Sequence, residues 1–326
     1  MVFLVGALSV SAGCGAASRT MFVNVPVVDV RAQPHTVVQA HAHDPLEETQ
    51  LLYGERVAVL NTATGWAQIE AVEQPEFTHQ RRWQGYPGWV PASALVAQRV
   101  WHEPTIVVAE KWAQVFQDAA LRTPAPHDVP LGSRLYARTE TATAWRVERF
   151  DGSTVWLLRT AARSLKALRA LPVAEKRRVI LEAATWILGD SYVWGGRSPE
   201  LKQQATSHRR QGVPVTGVDC SGLVNVAYRV AGIDIPRDAH EQFVRAHPTR
   251  ILQPADLIFL SKRGDPSSIV HVMLYAGDDE IIEGPGTGTV VRRLALTQRL
   301  GHTADSLTPG TVVDGQTVSC GSYLNQ

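Results

Sequence analysis

The stretch Gly217-Val218-Asp219-Cys220-Ser221-Gly222-Leu223-Val224 decides how this chain is read. A cysteine stands between a glycine-containing turn and an amphipathic run, residues 223–230, that reads as a helix. A thiol on the first turn of a helix faces unpaired backbone N–H groups and the positive end of the helix dipole. Both favour the thiolate, which is the nucleophilic form. A buried, inert structural cysteine is the competing reading of these residues alone. The rest of the chain has to decide between the two.

The chain has 326 residues, enough for two or three domains. Its 32 Lys and Arg balance 31 Asp and Glu to a formal charge of +1, so no nucleic acid and no strongly acidic partner is expected. Three cysteines, Cys14, Cys220 and Cys320, do not make a disulfide framework, although a Cys14–Cys320 bridge would join the two ends. Residues 1–13 are apolar and rich in small side chains, and they lead into Ser11-Ala12-Gly13-Cys14. That pattern resembles the end of a lipoprotein export signal with Cys14 as the acylated residue, which implies the cell envelope and a membrane tether. Against it stand the lack of a basic segment, Ser11 where leucine is usual, and the shortness of the apolar run. If Met1 is the true start and no signal is read, the protein stays in the cytoplasm. No later segment approaches the ~18 apolar residues of a membrane span.

Residues 21–98 read as short strands and turns. Phe22 to Arg31 alternates apolar and polar residues, Arg56-Val-Ala-Val-Leu does so again, and a Thr64-Gly65 turn leads into Trp66-Ala-Gln-Ile. Gly85-Tyr-Pro-Gly-Trp-Val-Pro closes the set. Such strands, punctuated by Gly and Pro, predict a small barrel. Residues 105–165 repeat the order with Trp112-Ala-Gln-Val-Phe, Leu131-Gly-Ser-Arg-Leu, Trp145-Arg-Val-Glu and Asp151-Gly-Ser-Thr-Val-Trp-Leu, so a second copy is expected. Residues 1–20 precede both units as a signal or an unstructured N-terminus. The last unit, residues 170–326, opens with a helix over 172–189 whose Ile180, Ala184, Ile187 and Leu188 share a face. After the cysteine helix come strands at 256–260, 270–276 and 280–283, a helix-then-antiparallel-sheet order that predicts an α+β domain. The tail beyond about residue 297 carries only weak signals.

A cysteine nucleophile needs a base within hydrogen-bond reach, and the base needs a third group to fix its tautomer. His271 begins His271-Val-Met-Leu-Tyr-Ala-Gly, and the turn at Gly277-Asp278-Asp279 would fold the chain into a hairpin. Glu283 then falls opposite His271, where a carboxylate can accept the imidazole N–H and stabilise the cation. Taken singly, each side chain is equally consistent with a structural or solvated residue. His41-Ala42-His43-Asp44 puts alternate residues on one face, but Pro45 ends the run with no third ligand nearby, so no metal site is expected.

In order, Tyr192-Val-Trp-Gly-Gly, Asp219-Cys-Ser-Gly-Leu-Val, Ile235-Pro-Arg-Asp, Asp256-Leu-Ile and His271-Val-Met-Leu-Tyr-Ala-Gly resemble the NlpC-type cell-wall cysteine peptidases over about residues 172–286. The resemblance implies a papain-like core preceded by two bacterial SH3-type barrels. It further implies the subgroup that cuts after γ-D-glutamate in murein peptides with a free N-terminal L-alanine, with the first barrel capping the cleft. Carried over by position, Cys220 is the nucleophile, His271 the base, and Glu283 holds the third polar position, where the family usually has histidine. An anion there should hold the imidazolium more strongly and raise the His271 pKa. Tyr192 would place its hydroxyl near the oxyanion beside the Cys220 N–H. Asp219 and Ser221 would face the γ-D-glutamyl part and the free amine. Ala239 stands where the family tends to have a substrate-contacting serine. Glu48 and Tyr86 of the first barrel resemble the amine-binding pair. The insert around residues 198–216, with His208-Arg209-Arg210, reads as a solvated loop, with a wall of the cleft as the second reading.

These readings converge on a hydrolase acting on L-Ala-γ-D-Glu-diamino acid peptides as a monomer, with no metal or organic cofactor. Two other functions remain open at this point. One is a wall-binding protein whose catalytic set is broken at Glu283, and the other is an acyltransferase that passes the acyl group to an amine.

Overall fold

The computed structural model describes residues 19–35, 43–97, 102–201 and 214–324. Cys14, His41 and His208-Arg209-Arg210 lie outside them. Two small all-β units precede an α+β unit in which a helix bearing the cysteine packs on an antiparallel sheet bearing the histidine.

The first unit is a seven-stranded antiparallel sheet. In Trp66–Glu76, Ala67, Ile69 and Ala71 point inward and are buried while their neighbours are more exposed, the period-2 pattern of a half-buried strand. Thr64 and Gly65 both have positive φ, 51° and 82°, the two-residue hairpin turn that matches strand twist. Two details depart from the sequence reading. The run 22–31 splits into Arg19–Val23 and Val27–Arg31, because Pro26 has no N–H for a ladder. The first strand therefore begins before residue 21. An unread strand, Glu47–Leu52, pairs with Val27–Arg31 at the sheet edge. It lacks apolar alternation because Glu47, Thr49 and Gln50 are buried against polar partners.

In the second unit the strands are shorter and divide into sheets of four, two and three strands. Ile106, Val115, Trp145, Val147 and Leu157 fill its core. Helix α1, Leu165–Ala170, follows directly, its first turn capped by the Ser164 hydroxyl. Helix α2, Val173–Thr185, starts after Pro172. It stops short of the expected Gly189, and residues 186–189 continue as turns.

Helix α3, Cys220–Val230, is buried on every side. Leu223, Val224, Val226 and Ala227 pack with Leu257, Phe259, Val272 and Leu274 of the sheet and with Val107 and Leu131 of the second barrel. Helix α4, Ala239–Arg245, lies across the strand Asp265–Gly277. Strand order is His247–Pro248, Gln316–Ser322, Leu257–Lys262, Asp265–Gly277, Glu280–Glu283, Arg292–Ala295, and helix α5, Leu296–Leu300, follows the last. The weakly patterned tail thus supplies an interior strand, in which only Val318 and Cys320 offer buried apolar side chains on alternate positions.

Three fully buried arginines join the first barrel to the α+β unit. Arg197 Nη1 donates to Glu55 at 2.7 Å, Arg229 Nη2 to Glu73 at 2.7 Å, and Arg237 Nε to the Thr49 hydroxyl at 2.7 Å. Arg229 also donates to the Gly132 carbonyl of the second barrel at 2.8 Å. Removing one partner from such a buried pair costs about 3–5 kcal/mol, so these contacts fix the barrels against the α+β unit.

Candidate active site

Asp219 is the N-cap of α3, and its Oδ1 accepts the Gly222 amide at 2.6 Å. Cys220 is therefore the first helical residue. The cap engages the amide of Gly222 and not that of Cys220, which stays available for a developing oxyanion. The turn Gly195-Gly196 lies directly on this helix end. A Cβ on Gly222 would sit 2.2 Å from the Gly196 carbonyl oxygen, so only glycine fits. Gly195 N donates to Asp219 Oδ2 at 3.1 Å. The Trp-Gly-Gly and Asp-Cys-Ser-Gly runs are two halves of one close contact.

His271 lies beside Cys220, close enough for the thiol to act on its ionisation. Its Nε2 donates to Glu283 Oε2 at 2.8 Å, which leaves Nδ1 as the nitrogen for the thiol. The hairpin is offset from simple opposition. Leu274 pairs with Ile282, so Glu283 lies diagonal to His271 rather than directly across, still within reach of a long side chain. Burial alone would depress the His271 pKa, but Cys220 and the hydrogen-bonded Glu283 outweigh it and lift the ring to about 9. Burial likewise opposes ionisation of Glu283, yet His271, Arg292 and Arg299 hold its carboxyl down at about 2.

Tyr192 is half-buried beside this pair. Its ring flanks Gly284, and burial, with the charges of Asp219 and Cys220, pushes its hydroxyl pKa upward and keeps it a neutral donor. Asp219 and Ser221, expected to face substrate, are turned inward. Arg237 forms a two-pronged pair with Asp219 at 2.7 and 3.0 Å and donates to the Ser221 hydroxyl at 2.9 Å, which itself donates to Asp219 at 3.1 Å. Both side chains are engaged in holding the helix start.

Glu48 and Tyr86 come together on the first barrel, and Tyr86 reaches the α+β unit by donating to Asp238 Oδ2 at 3.1 Å. Burial and the charges of Asp219 and Glu241 prevail over Arg237 and lift Asp238 to about 7. Glu48 is held by His79, whose Nε2 lies 3.3 Å from it and whose Nδ1 lies 3.0 Å from Glu76. With carboxylates at both nitrogens the ring must donate twice, and the bond to Glu48 overcomes burial to lift it to about 9. The adjacent Glu47 is buried, pairs with Arg31 at 3.0 Å, and leaves Oε1 without a partner among the described residues.

Sequence reasoning passed over Arg237, Asp238, His79, Glu47, Arg292 and Arg299. Arg237 and Asp238 stood in the Ile235-Pro-Arg-Asp run and carried a signal. The others carried none, because their partners are distant in sequence. No group of three or more His, Cys, Asp or Glu suited to a metal occurs among the described residues.

Residues 189–304 match the NlpC/P60 family. The chain is 28% identical over 244 residues to a protein of Bacillus cereus named gamma-D-glutamyl-L-lysine dipeptidyl-peptidase, covering 73% of this chain and 67% of that one. It is 26% identical over 262 residues to a protein of the same name from Bacillus subtilis, covering 79% and 78%. The crystal structure of an NlpC/P60 family protein from Bacillus cereus superposes with a TM-score of 0.71 at 22% identity, over 94% of this chain and 100% of that one. That likeness in fold runs through the barrels as well as the α+β unit. With helix, hairpin and the closeness of cysteine and histidine in place, the chain carries an NlpC/P60 domain, and its architecture is a papain-like α+β unit behind two all-β units.

Proposed function

We propose that the protein is a cysteine endopeptidase that hydrolyses the γ-D-Glu–diamino acid bond of murein stem peptides with a free N-terminal L-Ala. The observation that carries this reading is the Cys220–His271–Glu283 contact at the start of α3. Cys220 Sγ attacks the γ-carbonyl carbon, its proton resting on His271 Nδ1. The oxygen, now anionic, lies against the Cys220 amide and the Tyr192 hydroxyl. His271 passes the proton to the departing amine of the diamino acid as the C–N bond breaks. Water then gives a proton to His271 and its oxygen to the acyl carbon, and Sγ leaves. Glu283 holds Nε2 throughout and stabilises the imidazolium.

For amine recognition we assign Glu48 and Tyr86, which sit on the barrel strands facing Asp238, one residue from the arginine that fixes the Cys220 helix. An ammonium placed among these acidic side chains would gain charge-assisted hydrogen bonds that an N-acylated peptide cannot make. The two Bacillus relatives are named for a γ-D-glutamyl bond, and an envelope role follows from that chemistry. Action as a monomer and a lipid tether through Cys14 belong to the same reading.

The test is incubation with L-Ala-γ-D-Glu-diaminopimelate and with its N-acetyl form beside Cys220→Ala, read by mass spectrometry. Cleavage of the free peptide alone, lost in the variant, is expected. Cleavage of both peptides keeps the enzyme and removes the amine site. Cleavage of neither favours a wall-binding protein, and transfer to an added amine favours an acyltransferase.

A further inference from the structure

Glu283 is completely buried and carries more partners than a histidine-orienting carboxylate needs. Arg292, directly opposite it in the strand register, donates to Oε1 through Nη2 at 2.7 Å and Nε at 3.1 Å. Arg299, from the last turn of α5, places Nε 3.2 Å from Oε1 and 3.2 Å from Oε2, the same oxygen that His271 uses. Two permanent cations and one switchable cation therefore converge on one buried anion.

An isolated buried glutamate beside an imidazole would hold the proton on the ring, because the ion pair gains in low dielectric what each partner loses by leaving water. A base held too firmly in its protonated form is slow to give the proton to the leaving amine and slow to take one from water. We propose that Arg292 and Arg299 are positioning residues that share the Glu283 charge with His271, so that the carboxylate orients the imidazole without locking the proton on it. The proposal deepens the reading of this site as a peptidase and rests on it for the catalytic consequence. The charge sharing itself follows from the geometry.

The titratable and charged groups around the pair come from six elements or segments. Cys220 of α3 faces His271, with Asp219 and Tyr192 behind the thiol. Glu283 faces it from the neighbouring strand, Arg292 and Arg299 face Glu283, and His240 of α4 accepts the Ile269 amide two residues away at 3.5 Å. Removing either arginine charge removes a cation near the imidazolium and a competitor for Glu283, and both changes favour the protonated ring. Arg299 touches the shared oxygen and is 25% exposed against 46% for Arg292, so its removal should act more strongly.

The experiment is an NMR titration of the His271 ring in full-length Cys220→Ala protein, alone and with Arg292→Gln, Arg299→Gln or the corresponding lysine substitutions. Each glutamine variant is expected to raise the His271 midpoint, by about 0.5–1 unit for Arg299 and less for Arg292. The lysine variants should stay near the parent. In the cysteine-containing enzyme the alkaline limb of kcat/KM should move upward by the same shift while kcat falls. An unmoved midpoint beside reduced activity would overturn the proposal and leave the arginines a packing role, and a midpoint that falls would overturn it outright. The titration needs no substrate, so it decides the charge sharing even if no murein peptide is cleaved.

Discussion

Two histidines in this molecule sit against carboxylates and are lifted to about 9, one in the α+β unit and one in the first barrel. His271 is 9% exposed and touches a cysteine on a helix start. His79 is about one-third exposed, has a carboxylate at each nitrogen and faces the Tyr86 ring edge-on with centroids 5.1 Å apart. A raised histidine pKa is common to both, so it does not by itself mark catalysis. What separates them is the free nitrogen. His271 spends one nitrogen on Glu283 and has the other for a thiol, whereas His79 has both nitrogens committed to acids and can only fix them in place.

Breaking the first site should have the largest effects. Cys220→Ala is expected to lower kcat by about 10³-fold or more, and His271→Ala by a similar factor, because the two act as one unit. Their double variant should be scarcely worse than either, and multiplicative losses in single-turnover assays would contradict the coupling. Glu283→Gln keeps the shape and one acceptor but removes the charge. A fall in kcat of about 10–100-fold is expected, with the alkaline limb of the pH profile moving below 9, since the anion that raises His271 is gone.

The barrel side should respond through binding instead. Tyr86→Phe and Glu48→Gln should each raise KM for the free-amine peptide by about tenfold with kcat little changed, which separate kcat and KM measurements would reveal. A loss confined to kcat would move these residues into the chemical step. The smallest effect is expected for His79→Ala. A group with a raised folded-state pKa adds stability that is complete below its ordinary value of 6.5 and is lost as pH rises through about 9. The variant should therefore lose stability mainly below pH 6.5, with a difference from wild type that fades by pH 9–10, as denaturant melts across that range would report.

The proposed catalytic set was legible because its signals are local. A glycine-bounded cysteine before an apolar helix, a histidine opening a strand and a glutamate just past a turn each leave a short pattern. The hairpin then brought the last two together, although diagonally rather than face to face. Roles for Asp219 and Ser221 were harder to read, because Arg237, sixteen residues beyond Ser221, draws both inward. The strand Glu47–Leu52 and the interior strand Gln316–Ser322 were illegible for a shared reason. One is buried among polar partners and the other is built from small residues, so neither shows the alternation by which a strand is recognised. The arginines on Glu283 belong to the same class, since a cation recruited to a buried anion leaves no periodic trace.

Activation of Cys220 can be read from its rate of alkylation by iodoacetamide at neutral pH, followed by peptide mapping, in native and in denatured protein. It reads the nucleophile without assuming a substrate. Burial pushes the Cys320 thiol up to about 12, so that residue serves as an internal unreactive control in the native state. Cys220 is expected to react faster in the native protein than in the denatured chain, and His271→Ala to remove the advantage. Slower reaction in the native protein, or an advantage untouched by His271→Ala, would contradict a nucleophile activated by His271 and Glu283.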